Sequence, residues 1–158
     1  MRLHRVGADD SVIRALRRCQ AAVSLSLRDK AATGPVLGSW STMFDYLRFQ
    51  LANQRRETFR TLYLNARNEL LADEDAWSGT VDSAPFYPRE IVGRAIELGA
   101  TALIVAHNHP SGDPSPSPQD VACTTALKQI CKGVGIKLLD HLIVGRNGVV
   151  SMHGAGLL

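Results

Sequence analysis

No stretch of this chain approaches the roughly 20 consecutive apolar residues that a membrane-spanning helix needs, so a bilayer-embedded protein is not expected. The first residues, Met1-Arg2-Leu3-His4-Arg5, lack the apolar centre of a secretory signal, and a cytoplasmic location is expected. Cysteine is scarce. Cys19, Cys123 and Cys131 are the only three in 158 residues, and no two of them form a Cys-x-x-Cys pair. That spacing argues against a zinc ribbon or a disulfide framework and leaves buried structural thiols as the expected state. Internal repeats are also missing. Neither charge sign dominates: 18 Lys and Arg against 15 Asp and Glu give a formal charge of +3. This mild basicity is only a weak pointer to a nucleic-acid partner.

What is present suits one domain with a real hydrophobic core: 45% of the residues are hydrophobic. Residues 9 to 31 place Val12, Ile13, Leu16, Cys19, Val23 and Leu27 at helical spacing, interleaved with Arg14, Arg17, Arg18 and Arg28. A helix whose charges face water is expected, broken by Thr33-Gly34-Pro35. Residues 41 to 53 read as a second helix, with Met43, Phe44, Leu47 and Leu51 on one face and Ser41 as its cap. Two strands, 60–65 and 70–79, are expected around a turn at Asn65-Ala66-Arg67-Asn68. Pro88 opens a helix to Leu98 with Ile91, Val92, Ala95 and Ile96 as its core face. Thr101 to Ala106 is an apolar strand, and Pro118 to Lys132 a helix ending at Gly133. Ile136–Val144 and Gly148–Ser151 form a hairpin turned by Arg146-Asn147-Gly148. This alternation implies an α/β or α+β sandwich, a mixed central sheet flanked by helices.

The chemistry concentrates after the 101–106 strand, in His107-Asn108-His109-Pro110-Ser111-Gly112-Asp113-Pro114-Ser115-Pro116-Ser117-Pro118-Gln119-Asp120. Side chains two apart on a strand share a face, so His107 and His109 can reach one metal ion while Asn108 points away. Four of the chain's seven prolines fall in the following segment and make it a rigid loop rather than a helix interior or central strand. Ser117 then precedes Pro118 as an N-cap, and Ser117-Pro118-Gln119-Asp120 resembles a capping box with Asp in place of Glu. Capping alone would account for Ser117 and Asp120. A loop returning to a helix start beside the histidines also places Asp120 as a third ligand, with Ser117 nearby. Two imidazoles and a carboxylate suit zinc, and three protein ligands leave a fourth position for water. The same ligand types occur in non-haem iron oxygenases, but there the carboxylate sits inside the short motif and the second histidine is remote, the reverse of the order here. The literal string His-Asn-His matches the HNH nuclease name only by accident.

His-x-His, seven residues, Ser, two residues, Asp resembles the JAMM motif of the MPN-domain metallopeptidases. The fuller string is similar to the RadC branch of that family. So are Glu57-Thr58-Phe59 with Leu62-Tyr63-Leu64-Asn65, Gly79-Thr80, Pro88-Arg89-Glu90-Ile91, Leu139-Asp140-His141-Leu142-Ile143-Val144-Gly145 and Gly156-Leu157-Leu158. The resemblance covers residues 40 to 158. It implies a cytidine-deaminase-like MPN domain over 39–158, preceded by a helical segment over 1–38. It further implies a zinc-dependent hydrolase acting on a peptide or protein, with His107, His109 and Asp120 as ligands. Glu57 would be the general acid/base, and Ser117 would hydrogen-bond the oxyanion or orient the water. Glu69, Glu90 and Glu97 rank behind Glu57. Asn108 and Ser111 would hold the loop. Asp140 is a candidate acceptor for a ligand histidine's second N–H, although it and His141 read equally as strand residues facing solvent or as a satisfied polar core. His4 and His153 read as surface residues.

The RadC name carries a second implication, a DNA-repair-associated protein that binds nucleic acid or a partner without peptidase activity. RadC-like proteins commonly carry a helix-hairpin-helix module ahead of the metal domain, and residues 1–38 leave no room for a complete one, which counts against DNA binding. Salt-dependent DNA binding would separate the two readings. The ligand set has a direct test in metal content by mass spectrometry, on protein purified without added metal. About one zinc per chain is expected, on a three-ligand site, and none after His109→Ala or Asp120→Ala. Equal zinc in wild type and His109→Ala would sink the assignment.

Overall fold

The computed structural model describes residues 9–32, 40–78 and 87–158. Its elements in chain order are α1 (Asp10–Ala32), α2 (Trp40–Leu51), β1 (Thr58–Leu64), β2 (Leu70–Ser78), α3 (Pro88–Glu97), β3 (Ala102–Asn108), α4 (Pro118–Gly133), β4 (Lys137–Gly145) and β5 (Gly148–Ser151). The five strands form one mixed sheet in the order β2-β1-β3-β4-β5. β1 pairs antiparallel with both β2 and β3, and β4 pairs antiparallel with β5. β3 and β4 are parallel, so α4 is the crossover between them.

Every residue of β3 is buried, because the central strand is covered on both faces. Its even-numbered apolar residues, Ala102, Ile104 and Ala106, meet α2 through Met43, Tyr46, Leu47 and Leu51. Its odd-numbered Leu103 and Val105 meet α3 and α4 through Ile91, Val92, Ala95, Leu127 and Cys131. The sheet is therefore a middle layer, with α1 and α2 on one side and α3 and α4 on the other. A polar hook adds to the apolar contact of α2: the Tyr46 hydroxyl donates to Asp73, whose carboxylate also accepts from Arg60 Nε at 2.5 Å. The β1–β2 turn is held by Asn65 Oδ1, which accepts from the N–H groups of Arg67 and Glu69. Asn68 there takes a positive φ of 59°.

The mixed sheet with flanking helices is the architecture the sequence implied. Some details differ. Trp40 is already helical, so Ser41 lies inside α2 rather than capping it. Ile96 is 60% exposed, because α3 buries only the arc of Ile91, Val92 and Ala95 against the sheet. Of the residues spaced along α1, Ile13 is buried and Leu27 packs on the core, while Val12, Leu16 and Val23 stay exposed. The cysteines do not share one environment either: Cys131 is buried, Cys123 half-buried and Cys19 exposed on α1. Gly79, Thr80 and His4 lie outside the described residues.

The proline-rich loop after β3 is seated on the end of β4. A Cβ at Gly145 would stand 2.4 Å from the Gly112 carbonyl oxygen and 2.8 Å from Pro114 Cδ. Arg146 N–H donates to that same Gly112 oxygen at 3.0 Å. Gly145→Ala must push backbone, not a flexible side chain. It is expected to cost about 1–3 kcal/mol, the usual range for overpacking, and to lower the thermal midpoint. Gly93→Ala, where an added Cβ meets nothing within 4 Å, is the matched control and is expected to be neutral or slightly stabilising, since helical glycine costs about 0.5–1 kcal/mol against alanine. Equal midpoints for Gly145→Ala and wild type would mean that the loop does not rest there.

Candidate metal centre

His107 and His109 leave β3 where the strand ends, on the face covered by α4. The His107 side chain is 1% exposed. Its ring lies nearly parallel to Phe59, with centroids 6.0 Å apart and planes at 8°. Phe59 is its register partner on β1. The His109 N–H donates to the Val144 carbonyl at 3.0 Å, which extends the β3–β4 ladder one residue past the strand.

Asp120 arrives from the opposite side, through the capping chemistry of α4. Ser117 Oγ accepts from Asp120 N–H at 3.1 Å, and Asp120 Oδ2 accepts from Ser117 N–H at 2.7 Å and from the Ser117 hydroxyl at 2.6 Å. This is the reciprocal capping box, with Pro118 in the first helical position. It does not compete with the histidines for Asp120. The box aims the carboxylate at them: Oδ1 is 3.1 Å from His107 Nε2, and Oδ2 is 3.4 Å from His109 Nε2. The two Nε2 atoms are 3.0 Å apart. One ligand atom from each of the three residues lies within 4.8 Å of the others.

The placement of hydrogens decides what this cluster can do. His109 Nδ1 sits 2.8 Å from the Asp113 carbonyl oxygen, which only accepts, so Nδ1 carries the hydrogen and a neutral ring presents a bare Nε2. An ionised carboxylate only accepts as well. With the His107 hydrogen on Nε2 that ring donates to Asp120; with it on Nδ1 all three atoms are acceptors, and at these distances they require a cation between them. A proton serves in part. The hydrogen bond with Asp120 raises the pKa of His109, opposed by burial and reinforced by the Asp113 carbonyl and by the charges of Asp120 and Glu57. Burial pushes the Asp120 carboxyl upward, but His107 and His109 outweigh it and hold it well below the usual carboxylate range. A divalent ion fits the same donors. Tetrahedral bonds of about 2.0–2.1 Å put ligand atoms about 3.3 Å apart, close to the spacings here. Two imidazole nitrogens and one carboxylate match the ligand types taken by zinc and related divalent ions.

Glu57 lies just ahead of β1, half-buried. Its charge acts on both His109 and Cys123. The other glutamates are engaged elsewhere. Glu69 accepts from Asn65 Nδ2 in the β1–β2 turn, at the far end of β1. Glu90 pairs with Arg89 and Glu97 with Arg94, both on α3. What holds the Glu57 segment is Asn108, buried on the face of β3 opposite His107. Its Oδ1 accepts from Thr58 N–H at 2.9 Å, and its Nδ2 donates to the carbonyls of Arg56 at 3.2 Å and Gln54 at 3.4 Å. The expectation that Asn108 would hold the proline-rich loop is thus corrected: it pins the chain before β1. Ser111 does stay within the loop, accepting from Asp113 N–H at 3.3 Å.

Of the two readings of Asp140, the structure bears out the satisfied polar group in the core. Its carboxylate accepts from the backbone N–H groups of His141 and His153 and from the Ser151 hydroxyl. The partner of His107 is instead His141, whose Nε2 is 2.8 Å from His107 Nδ1. His141 is 1% exposed, and burial holds its pKa well below 6.5. The sequence carried one signal for it, a histidine in the middle of an apolar strand.

Residues 37–157 match the family of RadC-like JAB domains. The chain belongs to that family. It is 43% identical to a UPF0758 protein of Rhodobacter capsulatus, over 96% of this chain and 71% of the relative. A UPF0758 protein of Ruegeria pomeroyi is 41% identical over 96% of this chain and 68% of its own length. Those descriptions name no activity. A RadC-like JAB domain is compatible with metal-dependent hydrolysis, and this one brings together a His-His-Asp set able to hold an ion. No helix among the described residues is long and apolar enough to cross a membrane.

In this JAB domain the Asn108 clamp links the strand that bears the histidines to the segment that bears Glu57. Asn108→Ala strands the Thr58 N–H and is expected to cost about 1–3 kcal/mol, the penalty for a buried unsatisfied donor. Chemical denaturation measures it. A loss under about 0.5 kcal/mol, the low end for a single hydrogen bond, would show that the clamp is not formed.

Proposed function

We propose that this JAB domain is a zinc-dependent hydrolase that cleaves an amide bond, in a peptide or an isopeptide linkage, with water as the nucleophile. One observation carries the reading: two imidazole Nε2 atoms and a carboxylate converge while the second nitrogen of each imidazole is engaged elsewhere. The ion would be held by His107, His109 and Asp120, and would supply Lewis acidity to activate water and polarise the amide carbonyl. The His109 and Asp120 side chains are 19% and 13% exposed, so the cluster meets solvent on their side and water and substrate would enter there.

Glu57 is the general acid/base in this reading. It takes a proton from the attacking water and returns it to the leaving amine. Its place ahead of β1, within electrostatic reach of His109, supports that role. The Ser117 hydroxyl, which donates its one hydrogen to the Asp120 carboxylate at 2.6 Å, would turn that hydrogen to the oxyanion of the tetrahedral transition state.

Metal content and turnover on peptide and isopeptide-linked substrates test the two halves separately. Glu57→Gln is expected to keep zinc and lose about 10²–10⁴-fold in kcat, the usual contribution of a positioned acid/base. Full activity in Glu57→Gln would make the base assignment wrong.

A further inference from the structure

We infer that His141 is a positioning residue that sets the tautomer of His107 and, through Thr124, ties the ligand on β3 to the ligand on α4. The inference rests on the proposal that His107, His109 and Asp120 hold a metal ion.

The argument follows the hydrogens. His107 can offer Nε2 to a cation only if its hydrogen sits on Nδ1. That N–H then needs an acceptor inside a site where water does not reach, since His107 and His141 are each 1% exposed. The atom in place is His141 Nε2, 2.8 Å away. It accepts only if the hydrogen of His141 is on its own Nδ1. That nitrogen lies 2.5 Å from Thr124 Oγ1. A hydroxyl has one hydrogen, and Thr124 can spend it on the Asp120 carbonyl oxygen at 2.6 Å, leaving its oxygen free to accept. In this direction every donor finds one acceptor, from His107 to His141 to Thr124 to the Asp120 backbone. The opposite direction ends with the hydrogen on His107 Nε2, where a cation would bind.

The relay thus begins at one ligand residue and ends at the backbone of another, one turn of α4 separating Thr124 from Asp120. Two further contacts keep His141 in place. Asp140 Oδ1 accepts its backbone N–H at 2.7 Å. The Phe59 ring meets it edge-on at 5.5 Å while stacking on His107. Outer partners of ligand histidines orient the ring and raise its basicity toward the ion.

The test uses Zn2+ as the probe, with affinity measured by competition against a chelator and imidazole tautomers read from 15N NMR of the zinc-loaded chain. His141→Phe keeps the ring volume and removes the acceptor. It is expected to weaken Zn2+ binding by about ten- to a hundredfold, the range for loss of such partners. His141→Gln, whose amide oxygen can take the His107 N–H, is expected to recover most of that loss, and Thr124→Ser to bind like wild type. In the unmutated zinc-loaded chain the His141 hydrogen is expected on Nδ1, a readout that needs no variant to fold. A hydrogen on His141 Nε2 would overturn the inference. So would parental affinity in a folded His141→Phe. A wild-type chain that binds no Zn2+ would overturn the metal reading and this inference together.

Discussion

The alternation of side chains along β3 governs everything at that end of the sheet. A strand sends successive residues to opposite faces, and β3 is covered on both. His107 is therefore forced toward α4, and Asn108 toward the chain leaving α2. Neither can turn to water, so each polar group must find a partner in the protein. His107 finds His141 and the Asp120 carboxylate. Asn108 finds the backbone of Gln54, Arg56 and Thr58. A slip of one residue in register would exchange the two faces and dismantle both sets of contacts.

The second constraint is the start of α4. An aspartate three residues after an N-cap serine has an ordinary explanation in helix capping, and the structure makes those bonds. The same bonds orient the carboxylate that faces the histidines. The helix dipole also favours a carboxylate in the first turn. Capping the helix and facing the histidines therefore fall to one side chain. The proline-rich loop adds rigidity, because it rests on Gly145 and offers the Asp113 carbonyl to His109 Nδ1.

Together these features bring one nitrogen of each imidazole and the Asp120 carboxylate within reach of one another while giving each imidazole's other nitrogen a partner. When all three present lone pairs, such a cluster is costly unless something positive occupies its centre. A bound ion answers that cost, and the mixed-acceptor chemistry agrees with membership of the RadC-like JAB domains. The relay through His141 and Thr124 extends the same logic one layer outward. It makes the hydrogen-bond direction of a buried chain depend on which nitrogen of His107 is left bare.

Local features were legible along the chain. Periodicity and turn residues placed the strands and helices to within a few residues, because apolar spacing and proline act over short ranges. The His-x-His spacing and the Ser-Pro-Gln-Asp cap were legible for the same reason: each lies within one strand end or one helix turn. Tertiary structure decided what depends on distant neighbours. Which arc of α1 and α3 is covered could not be read from spacing, so Leu16, Cys19 and Ile96 are exposed where a core or a buried thiol was expected. Asn108 reaches a segment 50 residues earlier, and His107 meets a histidine 34 residues later. His141 rather than Asp140 touches His107 because the register of β4 against β3 turns Val105's partner, not Ile104's, toward α4. Sequence spacing sets which residues share a face. Only sheet order and register set which face meets which.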